Sequence, residues 1–119
     1  MPYVDGFLLP VPKRKVGLYL EISRKAGKVW REHGALEYRE CVGEDLNVKG
    51  VTGFPKVLKT KPGETVVFSW IVYKSRAHRD AVNKKVMKDE RIASMMGPKD
   101  MPFDVKRMAM GGFTVDVDL

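Results

Sequence analysis

The spacing of hydrophobic and polar residues changes along the chain, and the first part predicts a strand, a helix and a second strand. Residues 3 to 11, YVDGFLLPV, are rich in aromatic and branched side chains, as strands commonly are. From Lys13 to His33 apolar residues recur at steps of three and four, which predicts a helix closed by Gly34. Residues 35 to 43 alternate between apolar and polar side chains and therefore predict a second strand.

The middle of the chain predicts a long connection followed by the most regular strand. Residues 44 to 65 contain several glycines and prolines, and we expect their middle, TGFPKVLK, to form a short helical turn capped by Thr52. Connections of this length in small domains often serve as lids or binding loops. Residues 65 to 73, TVVFSWIVY, then predict a third strand.

The remaining residues predict a second helix and a fourth strand. Ser75 offers a side-chain cap for a helix that we expect to extend to about Arg91. Residues 108 to 117, MAMGGFTVDV, predict the fourth strand. The residues of the second helix expected to face inward are Ala77, Ala81, Val82 and Val86.

This order of elements predicts the α+β class, with a ferredoxin-like βαββαβ fold and a four-stranded antiparallel sheet in a single domain of residues 1–119. The strands would lie in the order four, one, three, two. Two helices can cover only one face of such a sheet, yet the third strand is apolar on both: Phe68 and Trp70 share one face, and Val67, Ile71 and Tyr73 the other. A second copy would cover the free face, which predicts a homodimer with a barrel-like cavity between the sheets.

Composition predicts a globular protein of the cytoplasm. The 119 residues are 44% hydrophobic and 31% charged, and they include one cysteine, Cys41, so no disulfide can form within the chain. The longest apolar runs are too short to cross a bilayer, and the first residues lack the basic and apolar pattern of a secretory signal. We therefore expect a cytoplasmic location and no membrane contact.

The net charge of +7 leaves a nucleic-acid partner open, because lysine and arginine neutralise phosphates. The charge is spread along the chain, however, at +4 over residues 1–60 and +3 over the rest. Charge distributed in this way more often serves solubility than RNA or DNA binding.

Several segments resemble the YbaA-like family of bacterial proteins of unknown function. They are YVDGF at 3–7, EHGA at 32–35, VVFSWI at 66–71, RDAVNKKVMKDER at 79–91 and MPFDVKRMAMGGF at 101–113. The resemblance covers essentially the whole chain in the same order, and it implies the dimeric α/β-barrel superfamily. That superfamily includes cofactor-free monooxygenases, lactone isomerases, haem-binding chlorite dismutases and stress-response barrels, so it does not imply one reaction. Some members of the family are also linked to signal-recognition-particle RNA, which no motif in this chain supports.

Two residues are candidates for catalysis. Asp5 lies in the middle of a predicted apolar strand, where a carboxylate either pairs with a cation or has a raised pKa suited to a general base. Its expected partner is Arg79 or Arg107, and we predict a link to Arg107 at one end of the sheet. His33 ends the apolar stripe of the first helix, where it serves either as a base or as a helix-terminal residue.

Four residues are candidates for ligand binding: Trp70, Asn83, Phe103 and Arg107. Residues 97–113 join the second helix to the fourth strand, and we expect this segment to lie near the rim of a cavity. There Phe103 would fill apolar space, while Arg107 would either fix the segment by an ion pair or hold an anionic ligand. Asn83 would bond to a buried ion pair.

The leading hypothesis is a homodimeric barrel that binds a small, partly apolar ligand, either as a binding protein or as a cofactor-free enzyme. The alternatives are a basic RNA-binding module and a plugged barrel that acts as an interaction protein. Two separated histidines and one cysteine do not make a zinc set, so we expect no metal and no cofactor.

Overall fold

The chain folds into one four-stranded antiparallel sheet with most of its helices packed on one face. The computed structural model describes residues 1–95 and 101–119. Short 3₁₀ turns lie at Lys13–Lys15 and Val105–Arg107. The strands and helices are β1 (Tyr3–Pro12), α1 (Val16–Glu32), β2 (Glu37–Val42), α2 (Phe54–Leu58), β3 (Glu64–Tyr73), α3 (Arg76–Met87), α4 (Glu90–Met95) and β4 (Ala109–Thr114).

The strand order is β2-β3-β1-β4, which confirms the predicted topology. β1 pairs along its whole length with β3, from Tyr3 opposite Tyr73 to Pro12 opposite Glu64, and its other edge pairs with β4. β1 and β3 are therefore the central strands. Among the described residues, no helix has the length and apolar character needed to cross a membrane.

One face of the sheet forms the core with α1, α3 and α4. Strand alternation directs Leu9 of β1 and Val67, Ile71 and Tyr73 of β3 to this side, where each is nearly inaccessible. α1 ends as predicted, because Gly34 adopts a φ of +116°, which side chains disfavour and glycine accepts. The core therefore lies between this face of the sheet and the three helices packed on it.

The opposite face remains largely open, and we call it the open face. It carries Phe68 and Trp70 on β3 and Phe113 on β4, with Phe68 45% and Phe113 61% exposed. α2 covers one end of this face, where Phe54 stacks on Phe68 with ring centroids 6.4 Å apart. The prediction that Phe68 and Trp70 share one face of β3 while Val67, Ile71 and Tyr73 share the other is confirmed.

Some predicted details of the helices are wrong. The second helix ends at Met87 and a separate helix, α4, begins at Glu90, because Asp89 lies between them and binds the backbone N–H of Arg91. Ala77 and Ala81 are exposed, since Val82 and Val86 set the inward face. α2 is capped by Gly53, and Thr52 takes no part in the cap. The Ser75 cap on His78 N–H is confirmed at 3.1 Å.

Candidate functional site

A largely apolar cavity of about 270 Å³ lies between α1 and the helix-covered face of the sheet, and we call it the inner cavity. α1 lines one side with Tyr19, Ile22, Ala26 and Trp30. Flexible thioethers can adapt a wall to a ligand's shape. The opposite side is formed by the end of α3 and the residues that follow it, and it carries four methionines and one aromatic ring: Met87, Met95, Met101, Phe103 and Met108.

Among the described residues that line this cavity, Glu40 is the acidic one, and the strand register explains its position. It lies opposite Ser69 on β2 and therefore points to the same side of the sheet as Tyr38. Tyr19 donates its hydroxyl to Glu40 Oε1 at 2.8 Å, and Tyr38 donates to Oε2 at 2.9 Å. Two tyrosines from different elements thus hold one carboxyl group against an apolar space.

The surroundings of Glu40 favour its protonated form. Burial raises its pKa, although hydrogen bonds from Tyr19, Tyr38 and Ser69 act in the opposite direction. Among the described residues, no cation forms an ion pair with Glu40. Burial and the adjacent carboxylate also raise the pKa of both tyrosines, so these hydroxyls stay protonated and act as donors. The cluster can therefore hold or release a proton at Glu40.

Asp5 is not part of this cluster. It is 2% exposed and accepts a hydrogen bond from Arg79 Nη1 at 2.7 Å, while the Arg79 guanidinium lies 4.9 Å from the centre of the Tyr3 ring. Burial raises the pKa of Asp5, and the charge and hydrogen bond of Arg79 oppose that rise. Of the two partners expected for Asp5, the structure selects Arg79.

The predicted link between Arg107 and Asp5 is wrong. β4 places Gly112 opposite Asp5, whereas Arg107 precedes that strand and reaches the start of β3. There it donates to both carboxylate oxygens of Glu64, at 2.7 and 2.8 Å, and holds the pKa of Glu64 at about 2. Arg107 therefore fixes its segment by an ion pair, as one of its two interpretations expected. Its role in ligand binding stays a prediction.

The other candidates lie around the inner cavity or apart from it. His33 caps α1, and its Nε2 lies 2.9 Å from Asp89 Oδ2, so its contact belongs to the helix end. Asn83 accepts hydrogen bonds from Trp30 and Tyr73, both at 3.2 Å. These two bonds join α3 to α1 and to the sheet.

Phe103 and Trp70 have different positions. Phe103 lines the inner cavity and packs edge-on against Tyr19, with ring centroids 5.6 Å apart. The side chain of Trp70 belongs to the open face, where it contacts Phe68 and donates to Glu37 at 2.9 Å. Residues 97–100 of the segment singled out in the sequence lie outside the described residues. Pro102 is buried, and Asp104 caps the 3₁₀ turn that follows.

The sequence prediction did not identify the cluster of Tyr19, Tyr38 and Glu40 as a candidate site. A signal was present in β2, because Glu40 has the same strand parity as Tyr38 and Val42 and so had to point toward the helices. A carboxylate at such a position demands hydrogen bonds or a proton. Among the described residues, no cluster of three or more His, Cys, Asp or Glu side chains could hold a metal ion.

Comparisons with known proteins agree on a family and a fold. The family model described as "Protein of unknown function (DUF1428)" matches residues 2–105. The uncharacterized protein YbaA of Escherichia coli strain K12 is 44% identical over 118 residues, with 99% of each chain covered.

Solved structures resemble the fold at low sequence identity. An uncharacterized NIPSNAP domain protein from Burkholderia xenovorans superposes with a TM-score of 0.61 at 18% identity, covering 95% of this chain and 93% of that one. A dimeric ferredoxin-like protein from an uncultured marine organism superposes with a TM-score of 0.57 at 13% identity, with 100% of both chains covered. These likenesses support the ferredoxin-like fold and leave the reaction open.

Proposed function

The chain belongs to the DUF1428 family of proteins of unknown function, and we propose that it binds a small, largely apolar ligand in the inner cavity and transfers a proton through Glu40. The observation that carries the proposal is a carboxyl group held by two tyrosine hydroxyls at the wall of an apolar cavity. Apolar pockets with a few converging polar groups and a perturbed pKa are common features of binding and catalytic sites.

The chemistry that this arrangement supports is the movement of a proton within the ligand. Ionised Glu40 removes a proton from a carbon or oxygen acid of the ligand and becomes neutral; it then returns the proton to a second atom. The ligand is rearranged and Glu40 is restored, so the cycle consumes no other reactant. Tyr19 and Tyr38 hold the carboxyl group in place and stabilise its charge, because their own raised pKa values keep them as donors.

Binding in the inner cavity can be tested with N-phenyl-1-naphthylamine, an uncharged dye that fluoresces in apolar surroundings. Ala26→Leu adds apolar bulk at the cavity wall and should weaken dye binding about tenfold. Ala81→Leu makes the same chemical change on the exposed side of α3 and is the matched control. Failure of the native protein to bind the dye, or equal behaviour of the two variants, would overturn cavity binding.

Proton transfer can be tested by following deuterium incorporation from D₂O into a panel of small apolar ketones by NMR. The native protein should accelerate exchange in at least one ketone, and Glu40→Gln should reduce that acceleration about 100-fold or more while it retains dye binding. Gln keeps the shape of the side chain but cannot take up the proton. No acceleration by the native protein, or equal acceleration by Glu40→Gln, would refute the acid–base role.

The open face supports a second part of the proposal, a homodimer. Exposed aromatic side chains are concentrated on it, with Phe68 and Phe113 on its strands and Phe54 of α2 at its end. A solved structure with this fold is described as dimeric, which makes a second copy of this chain the occupant that we propose. RNA binding stays a prediction, and a steep loss of affinity with added salt would be its mark.

A further inference from the structure

A second depression, of about 490 Å³, runs along the outer side of α1 between that helix and β2, and we call it the outer groove. It is more open to solvent than the inner cavity on the other side of the helix. Its rim carries Arg24, Lys28 and Arg31 of α1. Residues spaced by four and by three lie on one side of a helix, so these three cations line the groove together.

The rim of the outer groove is positively charged. Within the described part of the chain, neither Arg24 nor Lys28 forms an ion pair. Arg31 donates one N–H to the carbonyl of Leu36, which leaves other guanidinium donors for a ligand. Two of the described residues that line the groove are acidic. Glu32 accepts a hydrogen bond at 2.7 Å from Arg91, a cation outside the groove, and Glu40 is held by two tyrosine hydroxyls.

The outer groove and the inner cavity share part of their lining. Ser23, Tyr38 and Glu40 border both spaces. Gly27 allows the Tyr38 ring to lie at this shared border, because a Cβ at residue 27 would lie 2.6 Å from that ring. The absence of a side chain there lets the Tyr38 ring lie against α1, with its hydroxyl on Glu40.

We propose that the outer groove binds the anionic group of the same ligand whose apolar part occupies the inner cavity, so that the substrate is an amphipathic organic anion. The inference rests on the proposed function and names its substrate class: an apolar body with a carboxylate, sulfonate or phosphate group.

The test compares two dyes that share one ring system. Anilinonaphthalene sulfonate carries a sulfonate, whereas N-phenyl-1-naphthylamine is uncharged. The double variant Arg24→Gln/Lys28→Gln should weaken binding of the sulfonate about tenfold and leave binding of the uncharged dye within about twofold. Sulfonate binding by the native protein should also weaken with added salt. The variant Lys84→Gln/Lys85→Gln removes the same charge from the exposed side of α3 and is the matched control.

The outcomes separate this inference from the proposed function. If the native protein does not bind the uncharged dye, the proposed cavity function fails and the inference fails with it. If the uncharged dye binds in an Ala26-dependent way but the groove variant retains its affinity for the sulfonate, only the inference is refuted. An equal loss in the Lys84/Lys85 control would show a general charge effect and would also refute it. Sulfonate binding that Ala26→Leu leaves unchanged would separate the two spaces and overturn the single-ligand proposal.

Discussion

Replacing Arg79 with methionine should destabilise the protein strongly, because it leaves a buried carboxylate without its cation. The side chain of Asp5 is 3% exposed and that of Arg79 18%, and their charged atoms lie 2.7 Å apart. Methionine retains most of the aliphatic contact with the sheet but removes the charge. Breaking a buried pair by removing one partner costs about 3–5 kcal/mol in the free energy of unfolding.

The pH dependence of this effect has a defined sign. Loss of Arg79 removes an interaction that lowers the pKa of Asp5, so that pKa rises further above its ordinary value of 3.8. A raised pKa means that the native state binds the proton more tightly than the unfolded chain, so stability falls as pH increases. The difference between native protein and variant should therefore widen as pH rises above the already raised pKa of Asp5 in the native protein, and narrow below it.

Urea unfolding followed by far-ultraviolet circular dichroism, at one fixed protein concentration, would measure the effect. In a double-mutant cycle, Arg79→Met and Asp5→Asn should show a coupling of about 2–3 kcal/mol, because the neutral amide no longer needs the cation. Arg107→Met is the matched control, and its effect should add to that of Asp5→Asn within about 0.5 kcal/mol. Additive effects for Arg79 and Asp5, or coupling between Arg107 and Asp5, would refute the assignment of partners.

Three further predictions concern the cavity, the open face and the first helix. Because the pKa of Glu40 is raised above its ordinary value of 4.5, the native protein should lose stability as pH rises from 4.5 through that pKa, and Glu40→Gln should abolish this loss. A difference between the urea midpoints of the native protein and the variant that does not change with pH would contradict this prediction. Trp70→Asp should convert a dimer into a monomer of 13.5 kDa by light scattering, and a native protein that is already monomeric at micromolar concentration would exclude the dimer. Gly27→Ala should cost about 1–3 kcal/mol in urea unfolding, despite the better helix propensity of alanine, because the new methyl group meets the Tyr38 ring; a stabilised variant would show that the ring yields.

The fold was predictable because periodicity is a local property of the sequence. TVVFSWIVY alternates through a full strand, and the stripe from Lys13 to His33 repeats at helical spacing, so each segment specifies its element and its buried side. Gly34 and Ser75 mark helix ends by chemistry that a sequence displays directly. Consistent local signals of this kind constrain the topology to a few arrangements.

The candidate site was less predictable because it depends on distances between elements. Asp5 required a cation, but only the packing of α3 against the sheet decides between Arg79 and Arg107. Glu40 was passed over because a charged residue in a strand is usually solvated, and its two hydroxyl donors come from β2 itself and from α1, 21 residues earlier in the chain. Periodicity indicates that a residue is buried, but it does not identify the side chains around it.

The pairing of β1 has a consequence for how the chain folds during synthesis. β1 leaves the ribosome before β3 and β4, yet it is hydrogen-bonded to both of them in the finished sheet. The apolar residues of β1 must therefore remain unpaired until the ribosome has made more than half of the chain, up to β3. Pairing between segments so distant in sequence is slow. Until β3 arrives, both edges of this strand can pair with other chains, and that interval is when the protein is most exposed to aggregation.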